Sequence, residues 1–497
     1  QSCGRLWSRL ARPSSRLPHY AGWGAARDAG EKREPGASSS PGVMAERSSE
    51  QLTELATELV TRARKAGADV AEASARGGFE LSVRVRLGKP ELVEEAGHHS
   101  VSLRVIKAQR VASTSTSDLS ASGIERCVED ALSLVELSEP DPFAGPADPA
   151  LLCSPPHPDL DLFDPAVGAI DAEQAILQAT AAEAAAFAAD PRITLSEGAN
   201  FSRTDGISAV VLSSGFSGLL RGSYAMLWIS PVAEDEGGKK RRGHYWTAHR
   251  YAAQMEPAAA VGREAARRTV AKLGARKIQT CEAPIVFDPD VARSVLGSFA
   301  SCIVGGALFR RSSYLLEREG TEVAAKGIDI VDDPLLQRAP GSRPFDGEGL
   351  RARRNVVVEN GVLKSFLFDS YSARKLGRAS TGSAVRSGGS IGAGTSNFLM
   401  QPGALTPEAI IAATPRGLYV TELMGHGFNP VTGDFSRGAS GLWIEDGKLS
   451  FPVGEITISS SLDAMLKGID AIGNDLTLKT STAAPTFRVA SMTISGT

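Results

Sequence analysis

Cysteine is scarce in this 497-residue chain, and its spacing excludes two common uses of the residue. The five cysteines are Cys3, Cys127, Cys153, Cys281 and Cys302. No two of them form a Cys-x-x-Cys pair, so neither a zinc ribbon nor a disulfide framework is indicated. A sparse and odd number of cysteines is typical of a reducing compartment, and we therefore expect a cytoplasmic protein.

The sequence also lacks a strong charge of one sign and a long apolar run. Its formal net charge is −3 at pH 7, so the overall charge does not favour nucleic acid or an anionic membrane as a partner. No uninterrupted apolar run approaches the ~18 residues that a membrane-spanning helix needs. We therefore predict no nucleic-acid partner and no membrane segment.

A zinc-peptidase motif is missing as well. Zinc peptidases of the helical type need His-Glu-x-x-His or a close variant, because two histidines on one helix face hold the metal and the glutamate acts on the bound water. None of the seven histidines is followed by glutamate. His244 and His249 are five positions apart, which is ~500° around a helix, so they would diverge.

The length of the chain and its changes in composition predict more than one domain. Residues 1–43 are rich in Arg, Ser, Pro and Gly, and we interpret them as a disordered or non-native N-terminal extension. An organellar transit peptide is the alternative, but Asp28, Glu31 and Glu34 are unusual in such a peptide.

Two domains are predicted after this extension. Residues 44–279 are predicted to form a mixed α/β N-terminal domain, with a connection rich in Pro and Asp at about residues 139–165. Residues 280–497 contain many short strand patterns and glycine turns, which predict a β-rich C-terminal domain. The predicted fold class is therefore α+β.

Local patterns predict individual elements of these domains. Leu52, Leu55 and Leu59 lie on one face of a predicted helix at about residues 50–66. Asn360-Gly361 and Asp446-Gly447 each separate two apolar runs, which is the strongest short signal for a β-hairpin. The first of these hairpins is predicted to join strands 355–359 and 362–368. A helix is predicted after Asp288, with Pro289 in its first turn.

Ser390 lies in a sequence that matches the Gly-x-Ser-x-Gly pattern of a serine-hydrolase nucleophile. That pattern requires a strand, a sharp turn and a helix, followed by an acid and a histidine. The residues after Ser390 are Ile-Gly-Ala-Gly-Thr-Ser-Asn-Phe, which do not favour a helix. A metal-independent hydrolase with a site near Ser390 and His426 is therefore kept only as an alternative.

Two further segments are unusual. Residues 425–438 combine four glycines with many hydrogen-bonding side chains, which suits backbone held close to another chain or to a ligand. A structural network of turns is the simpler interpretation. Residues 395–400 have the pattern of a strand to which an extended peptide could pair by main-chain hydrogen bonds.

From about residue 50 to the C-terminus the sequence resembles the TldD/PmbA family of peptidases. Several short motifs in this order carry the resemblance: Phe345-Asp346-Gly347-Glu348-Gly349, Asn360-Gly361-Val362-Leu363, Ser380-Thr381-Gly382, Asn429-Pro430-Val431-Thr432-Gly433-Asp434-Phe435-Ser436 and Gly473-Asn474-Asp475-Leu476. Each motif alone is weak, but their combination and order are specific.

The resemblance implies a heterodimeric metallopeptidase in which a TldD-like subunit binds the metal through a His-Glu-x-x-x-His helix and a later cysteine. In this chain the corresponding helix, after Asp288, has neither His nor Glu, and no cysteine follows residue 476. The resemblance thus implies the PmbA (TldE) type of subunit, which is non-catalytic and has no cofactor of its own. The metal, zinc by expectation, would be in the partner.

The expected substrate is an unfolded or flexible peptide, and this chain is expected to help form the substrate cavity. No catalytic or metal-binding residue is predicted in it. The residues predicted to contact a peptide or the partner subunit are Thr395, Ser396, Asn397, Phe398, Gly425, His426, Asn429, Thr432, Gly433, Asp434, Phe435 and Ser436.

Overall fold

The computed structural model describes residues 48–497, and the prediction for residues 1–43 lies outside this range. The α-helices in the described range are α1 (Ser49–Lys65), α2 (Ala121–Leu137), α3 (Pro165–Gly168), α4 (Ala172–Ala189), α5 (Ala258–Val270), α6 (Pro289–Cys302), α7 (Gly305–Phe309), α8 (Ser370–Lys375), α9 (Pro407–Ala412) and α10 (Leu462–Lys467). Across residues 48–497, none of the helices combines the length and the apolar character that crossing a bilayer would require.

The β-strands divide between the two halves of the chain. The first half contains β1 (Val70–Arg86), β2 (Lys89–Lys107), β3 (Arg110–Thr116), β4 (Ile193–Leu212), β5 (Ser217–Glu234), β6 (Lys240–Arg242) and β7 (Tyr245–His249). The second half contains β8 (Cys281–Phe287), β9 (Ile330–Asp332), β10 (Asn355–Glu359), β11 (Val362–Leu363), β12 (Ala384–Ser387), β13 (Ser390–Ala393), β14 (Phe398–Met400), β15 (Arg416–Met424), β16 (Asp434–Glu445), β17 (Lys448–Ser461), β18 (Ile469–Ile472), β19 (Thr482–Ala483) and β20 (Phe487–Ser495).

One antiparallel sheet contains all strands of the first half. Its order is β3-β2-β1-β4-β5-β6, and β7 pairs with β5 as well. Ala71, Ala73 and Ala75 of β1 pack in one apolar cluster with α1 and α2. Leu81 and Val83 of the same strand pack in a second cluster with α4 and α5. Because odd-numbered residues of a strand share a face, these four helices cover one face of the sheet.

Side chains at the helix ends explain where these helices begin. Ser48 accepts from the backbone N–H of Gln51, and the Gln51 side chain accepts from the N–H of Ser48, which forms a capping box before α1. Asp171 and Gln174 form the same arrangement before α4. Each cap satisfies two of the backbone donors that a helix start leaves without partners.

The predicted Pro- and Asp-rich connection contains little regular structure. It runs from the end of α2 to α3 with a single 3₁₀ turn at Pro149–Leu151. The connection is attached to the second half of the chain, because the Cys153 N–H donates to the Gly349 carbonyl at 2.8 Å.

The largest sheet of the second half closes on itself. Its order is β17-β16-β15-β8-β20-β18, and β17 also pairs with β20 from Thr457↔Ser495 to Ser459↔Thr493. Strands β17, β16, β15, β8 and β20 thus form a ring. A five-stranded sheet, β11-β10-β9-β14-β19, and the β12–β13 hairpin complete this half. Helices and many strands throughout the described residues confirm the α+β prediction and its strand-rich second half.

The two predicted Gly hairpins are present, but one is shorter than predicted. Asp446-Gly447 joins β16 and β17, and Asn360-Gly361 joins β10 and β11. The second strand of the latter ends at Leu363, not at residue 368. The strand ends early because the chain then pairs with a different segment. The Leu367 N–H donates to the Ile303 carbonyl, and the Leu367 carbonyl accepts from the Gly305 N–H.

Candidate functional site

Strand β8 and helix α6 form the unit that the sequence identified as the expected position of a metal helix. β8 is one of the strands of the ring. It pairs in parallel with β15 and antiparallel with β20. The Asp288 side chain accepts from the backbone N–H of Asp290 at 3.1 Å, and Pro289 occupies the first helical turn as predicted. The Tyr419 hydroxyl donates to Asp288 at 2.9 Å, which ties the start of α6 to β15.

The two faces of α6 differ in character. Val291, Val295 and Phe299 are buried in the main core of the second half. Ser294, Ser298 and Ser301 lie on the opposite face, and Ser301 is exposed. Spacings of three and four residues place these three serines in one row along the helix.

The donors on α6 do not fit a catalytic metal ion. The helix contains no His and no Glu, and its thiol, that of Cys302, donates to the Ser298 carbonyl at 3.5 Å. Burial raises the pKa of the Cys302 thiol to about 11, and no imidazole lies on the helix beside it. Within residues 48–497, no group of three or more His, Cys, Asp or Glu side chains is arranged to hold a metal.

The segment between β15 and β16 lies alongside the C-terminal half of α6. The Pro430 carbonyl accepts from the Tyr314 N–H at 2.7 Å and lies 3.9 Å from the Cys302 sulfur. At the start of β16, Arg437 donates from Nη1 to the Ser294 hydroxyl at 2.8 Å. The row of serines is thus bordered by the loop and by a guanidinium group.

This loop, residues 425–433, is held by its own network of hydrogen bonds. The Gly433 N–H donates to the Asn429 carbonyl at 2.8 Å, and the Asn429 N–H donates to the Asp434 carbonyl at 2.9 Å. Gly427 is required for steric reasons, since a Cβ at this position would lie 1.6 Å from the Ser436 carbonyl oxygen. The network of turns considered from the sequence is therefore present.

The loop leaves several of the predicted contact residues accessible. Exposed members of the predicted set are Gly425, His426, Asn429, Thr432, Asp434 and Ser436. Gly433 and Phe435 are buried, and Phe435 is only 1% exposed because its ring packs in the main core. The side chain of Phe435 is therefore not accessible to a peptide or partner in this chain, and contact by Gly433 and Phe435 stays a prediction.

The segment 395–400 does not offer a strand edge. Ser396, Asn397 and Phe398 are buried. Strand β14, which begins at Phe398, lies between β9 and β19, so both of its edges are already paired. The Asn397 amide is also occupied, because it donates to the Asp333 carbonyl at 2.7 Å and accepts from the Gly341 N–H at 2.8 Å. Peptide pairing at this strand, as the sequence suggested, is excluded by these contacts, and Thr395 is the one half-buried residue of the set.

The hydrolase alternative finds no support in the geometry around Ser390. Ser390 begins the second strand of the β12–β13 hairpin, and the next element in the chain is strand β14, not a helix. The hairpin turn lies on the first-half sheet, where the Ser113 hydroxyl donates to the Gly389 carbonyl at 2.8 Å. His426 belongs to the loop beside α6. No hydrogen bond between Ser390 and His426 is present in the described part of the chain.

A buried group of carboxylates was not identified from the sequence, although its motif was. Asp346 accepts from the N–H groups of Glu348, Leu350 and Ala384 at 2.9–3.0 Å. Glu348 accepts from the Ser370 N–H at 2.9 Å. Burial, reinforced by the neighbouring Asp346, raises the pKa of Glu348 to about 7. The sequence identified Asp346-Gly347-Glu348-Gly349 as part of a family motif, but only the structure shows that both acids are enclosed.

Comparison with known proteins places this architecture in a class. Sequence models described as PmbA/TldA metallopeptidase domain 1, central domain and C-terminal domain match residues 71–135, 165–273 and 280–496. These three successive matches define a metallopeptidase-type chain. The chain belongs to the TldD/PmbA family.

Individual relatives cover nearly the whole chain. The Metalloprotease PmbA of Escherichia coli O157:H7 is 37% identical over 432 residues, which are 86% of this chain and 92% of that protein. A crystal structure from Bacteroides thetaiotaomicron has a TM-score of 0.85 at 26% identity and covers 90% of this chain and 100% of that chain. The structure of TldE from Thermococcus kodakarensis has a TM-score of 0.79 at 20% identity, covering 89% and 100%, and shows similarity of fold.

Proposed function

We propose that this chain is the non-catalytic subunit of a heterodimeric TldD/PmbA-type metallopeptidase that processes or degrades flexible peptides. In this proposal a TldD-like partner holds the metal, with zinc as the expected ion. This chain contributes part of the wall of the substrate cavity. Cytoplasmic localisation is part of the proposal, and the free thiols of Cys127, Cys153, Cys281 and Cys302 support it.

The observation that carries the proposal is the composition of α6. Its accessible face presents Ser294, Ser298 and Ser301, whereas a catalytic helix of the family would present metal-binding histidines and an acid. Metal-assisted hydrolysis requires an ion that polarises the carbonyl and a base for the water. A row of serines bordered by a guanidinium supplies neither. The hydroxyls of Ser298 and Ser301 donate to the Ser294 and Ser298 carbonyls, so their oxygens are left to accept hydrogen bonds from a peptide.

The residues of the chain can assist the reaction by position alone. The exposed loop 425–432 and the serine row form a polar surface that could face an enclosed peptide. Enclosure restricts the motion of a bound peptide and excludes folded proteins, and such positioning can lower a barrier by several kcal/mol without a reacting group. The relative named Metalloprotease PmbA and the fold shared with TldE support the assignment to this type of subunit.

Reconstitution with a TldD-like chain tests the proposal. Each chain alone and the mixture are incubated with an unstructured peptide and with a folded protein, with and without a chelator. We expect cleavage of the peptide by the mixture only, and inhibition by the chelator. Cleavage by this chain alone that survives the chelator would disprove the non-catalytic role.

Metal analysis provides a second, independent readout. We expect the purified, tag-free chain to contain no stoichiometric zinc, because α6 offers neither an imidazole nor a glutamate. Elemental analysis of the chain alone and of the mixture locates the ion. One tightly held zinc per copy of this chain would contradict the proposal.

A further inference from the structure

The outer half of β2 is an exposed sheet edge. Residues from Lys89 to His98 are exposed at every position, so side chains on both faces of the strand reach solvent. On one side this segment pairs with β1, from Arg86↔Lys89 to Gly78↔His98. On the other side β3 pairs only with the inner half of β2, from Val101 to Lys107. Within residues 48–497 the outer edge therefore has no strand beside it.

This edge is rigidly supported. β1 is paired on its second side with β4, as far as Val85↔Ala199. Leu81, Val83 and Val85 of β1 are buried beneath α4 in a shared apolar cluster. An incoming chain would thus meet a preformed strand, and the ordering entropy would be lost by the incoming chain alone.

The side chains along the edge are acidic and partly apolar. The segment contains Glu91, Glu94 and Glu95 against a single lysine. The Glu91 carboxylate lies 3.5 Å from the Arg86 guanidinium. The Glu95 carboxylate lies 3.5 Å from the Arg203 guanidinium. The Glu94 carboxylate makes no ion pair in the described range. Leu92 is 38% exposed and Val93 46% exposed, so apolar surface alternates with the carboxylates.

Charge selects among the possible occupants. A second copy of the same edge would bring glutamates opposite glutamates, and like charges directly opposite each other destabilise a strand pair. Lysine or arginine side chains on an added strand would instead lie opposite carboxylates. Main-chain hydrogen bonds would supply affinity without demanding a particular sequence.

We propose that the outer edge of β2, residues 89–98, binds an extended, basic segment of flexible polypeptide by strand addition. The bound segment is about ten residues long, or ~33 Å at strand spacing. The proposal deepens the proposed function and rests on it for the identification of this polypeptide as a peptidase substrate. The substrates are then flexible chains that carry lysine or arginine.

Direct binding to the full chain, without a partner subunit, tests the inference. The probe is a fluorescent peptide of about ten residues that alternates lysine with threonine and valine, and binding is followed by anisotropy. A version N-methylated at successive residues lacks the main-chain donors on both edges. We expect the unmodified peptide to bind, the methylated peptide not to bind, and added salt to weaken binding.

A charge-reversal variant locates the site. Glu94→Lys should weaken binding of the basic peptide about threefold to tenfold, because an attractive cross-strand pair becomes a repulsive one. The matched control is Glu129→Lys at an exposed position of α2, which should leave binding unchanged. A glutamate-for-lysine version of the peptide should bind better to Glu94→Lys than to the unaltered chain. The inference would be overturned if Glu94→Lys bound the basic peptide as tightly as Glu129→Lys does. It would also be overturned if the methylated peptide bound as tightly as the unmodified peptide.

The experiments distinguish a failure of the strand-addition inference from a failure of the proposed function. If the mixture with a TldD-like chain cleaves flexible peptides while this chain alone binds no basic peptide, the inference fails and the proposed function stands. If the chain binds the basic peptide at Glu94 but the mixture shows no chelator-sensitive cleavage, the proposed function fails and the edge remains a peptide-binding site.

Discussion

Arg386 donates from Nη2 to Oε2 of Glu72 at 2.7 Å, although 314 positions separate the two residues in sequence. Both side chains are only 4% exposed. Burial by itself would raise the pKa of Glu72, but Arg104 and Arg386 outweigh that effect and lower it. The pair joins β1 of the first-half sheet to the β12–β13 hairpin of the second half, so it contributes to the contact between the two halves.

Glu72→Gln is therefore expected to destabilise the chain strongly. The substitution leaves two buried guanidinium groups, Arg104 and Arg386, without an anion between them, and breaking such a buried pair typically costs about 3–5 kcal/mol. Urea denaturation measures the change. Glu129→Gln, at an exposed position of α2, is the control and should stay within about 0.5 kcal/mol of the unaltered chain. A similar small change for Glu72→Gln would show that the pair is not important for stability.

Glu348 should make the stability of the chain depend on pH. Its pKa is raised from 4.5 to about 7 in the folded chain, mainly by burial. A folded-state pKa above the unfolded value means that the protonated form is favoured by folding. The resulting stabilisation is complete below pH ~4.5 and is lost as the pH rises through about 7.

Glu348→Gln tests this pH dependence. Glutamine cannot ionise, and its side-chain oxygen can still accept from the Ser370 N–H. We expect the variant to gain on the order of 2 kcal/mol relative to the unaltered chain between pH 5 and 8. Denaturation at a series of pH values gives the free energy of unfolding as a function of pH for the variant and for the unaltered chain, and the slopes of the two plots are compared. Parallel slopes would show that Glu348 does not titrate in this range.

Cys302→Ser should have little effect on a reconstituted peptidase. The serine hydroxyl can donate to the Ser298 carbonyl in place of the thiol, and we expect activity within about twofold of the unaltered complex, since no metal–thiolate bond is lost. Cys281→Ser serves as the control at the half-buried Cys281. A loss of metal and activity confined to Cys302→Ser would indicate that the thiol is a ligand.

Gly427→Ala should distort the loop beside α6. A Cβ at this position would collide with the Ser436 carbonyl oxygen, and forced overpacking typically costs about 1–3 kcal/mol. If the loop borders the peptide or the partner, the variant should also reduce partner binding, measured by co-purification with a TldD-like chain. Gly392→Ala is the control, because a Cβ at Gly392 would meet open space. If a folded Gly427→Ala chain bound the partner as the unaltered chain does, the loop would not be part of the interface with the partner.

Elements with strong local signals were predictable from the sequence. The helix at about residues 50–66, the hairpin at Asp446-Gly447 and the helix that begins at Pro289 follow from side-chain and backbone preferences within a few residues. The absence of a His-Glu pair is likewise a property of the sequence. It was sufficient to predict that α6 is not a metal-binding helix.

The strand at residues 398–400 shows what local information could not decide. Phe398, Leu399 and Met400 are three consecutive apolar residues, and so short a run predicts a strand without showing whether its edges are paired. Only the structure shows that it pairs with β9 on one side and β19 on the other, so that neither edge is free to pair with a peptide.

The sequence alone therefore determined the family resemblance, the α+β composition and the positions of long helices such as α1 and α6, because these depend on residues close together along the chain. The tertiary structure decided which edges are paired, which acids are buried and which loop lies beside α6. Glu72 and Arg386 illustrate the reason: contacts across hundreds of residues set burial and charge pairing, and no local pattern reports them.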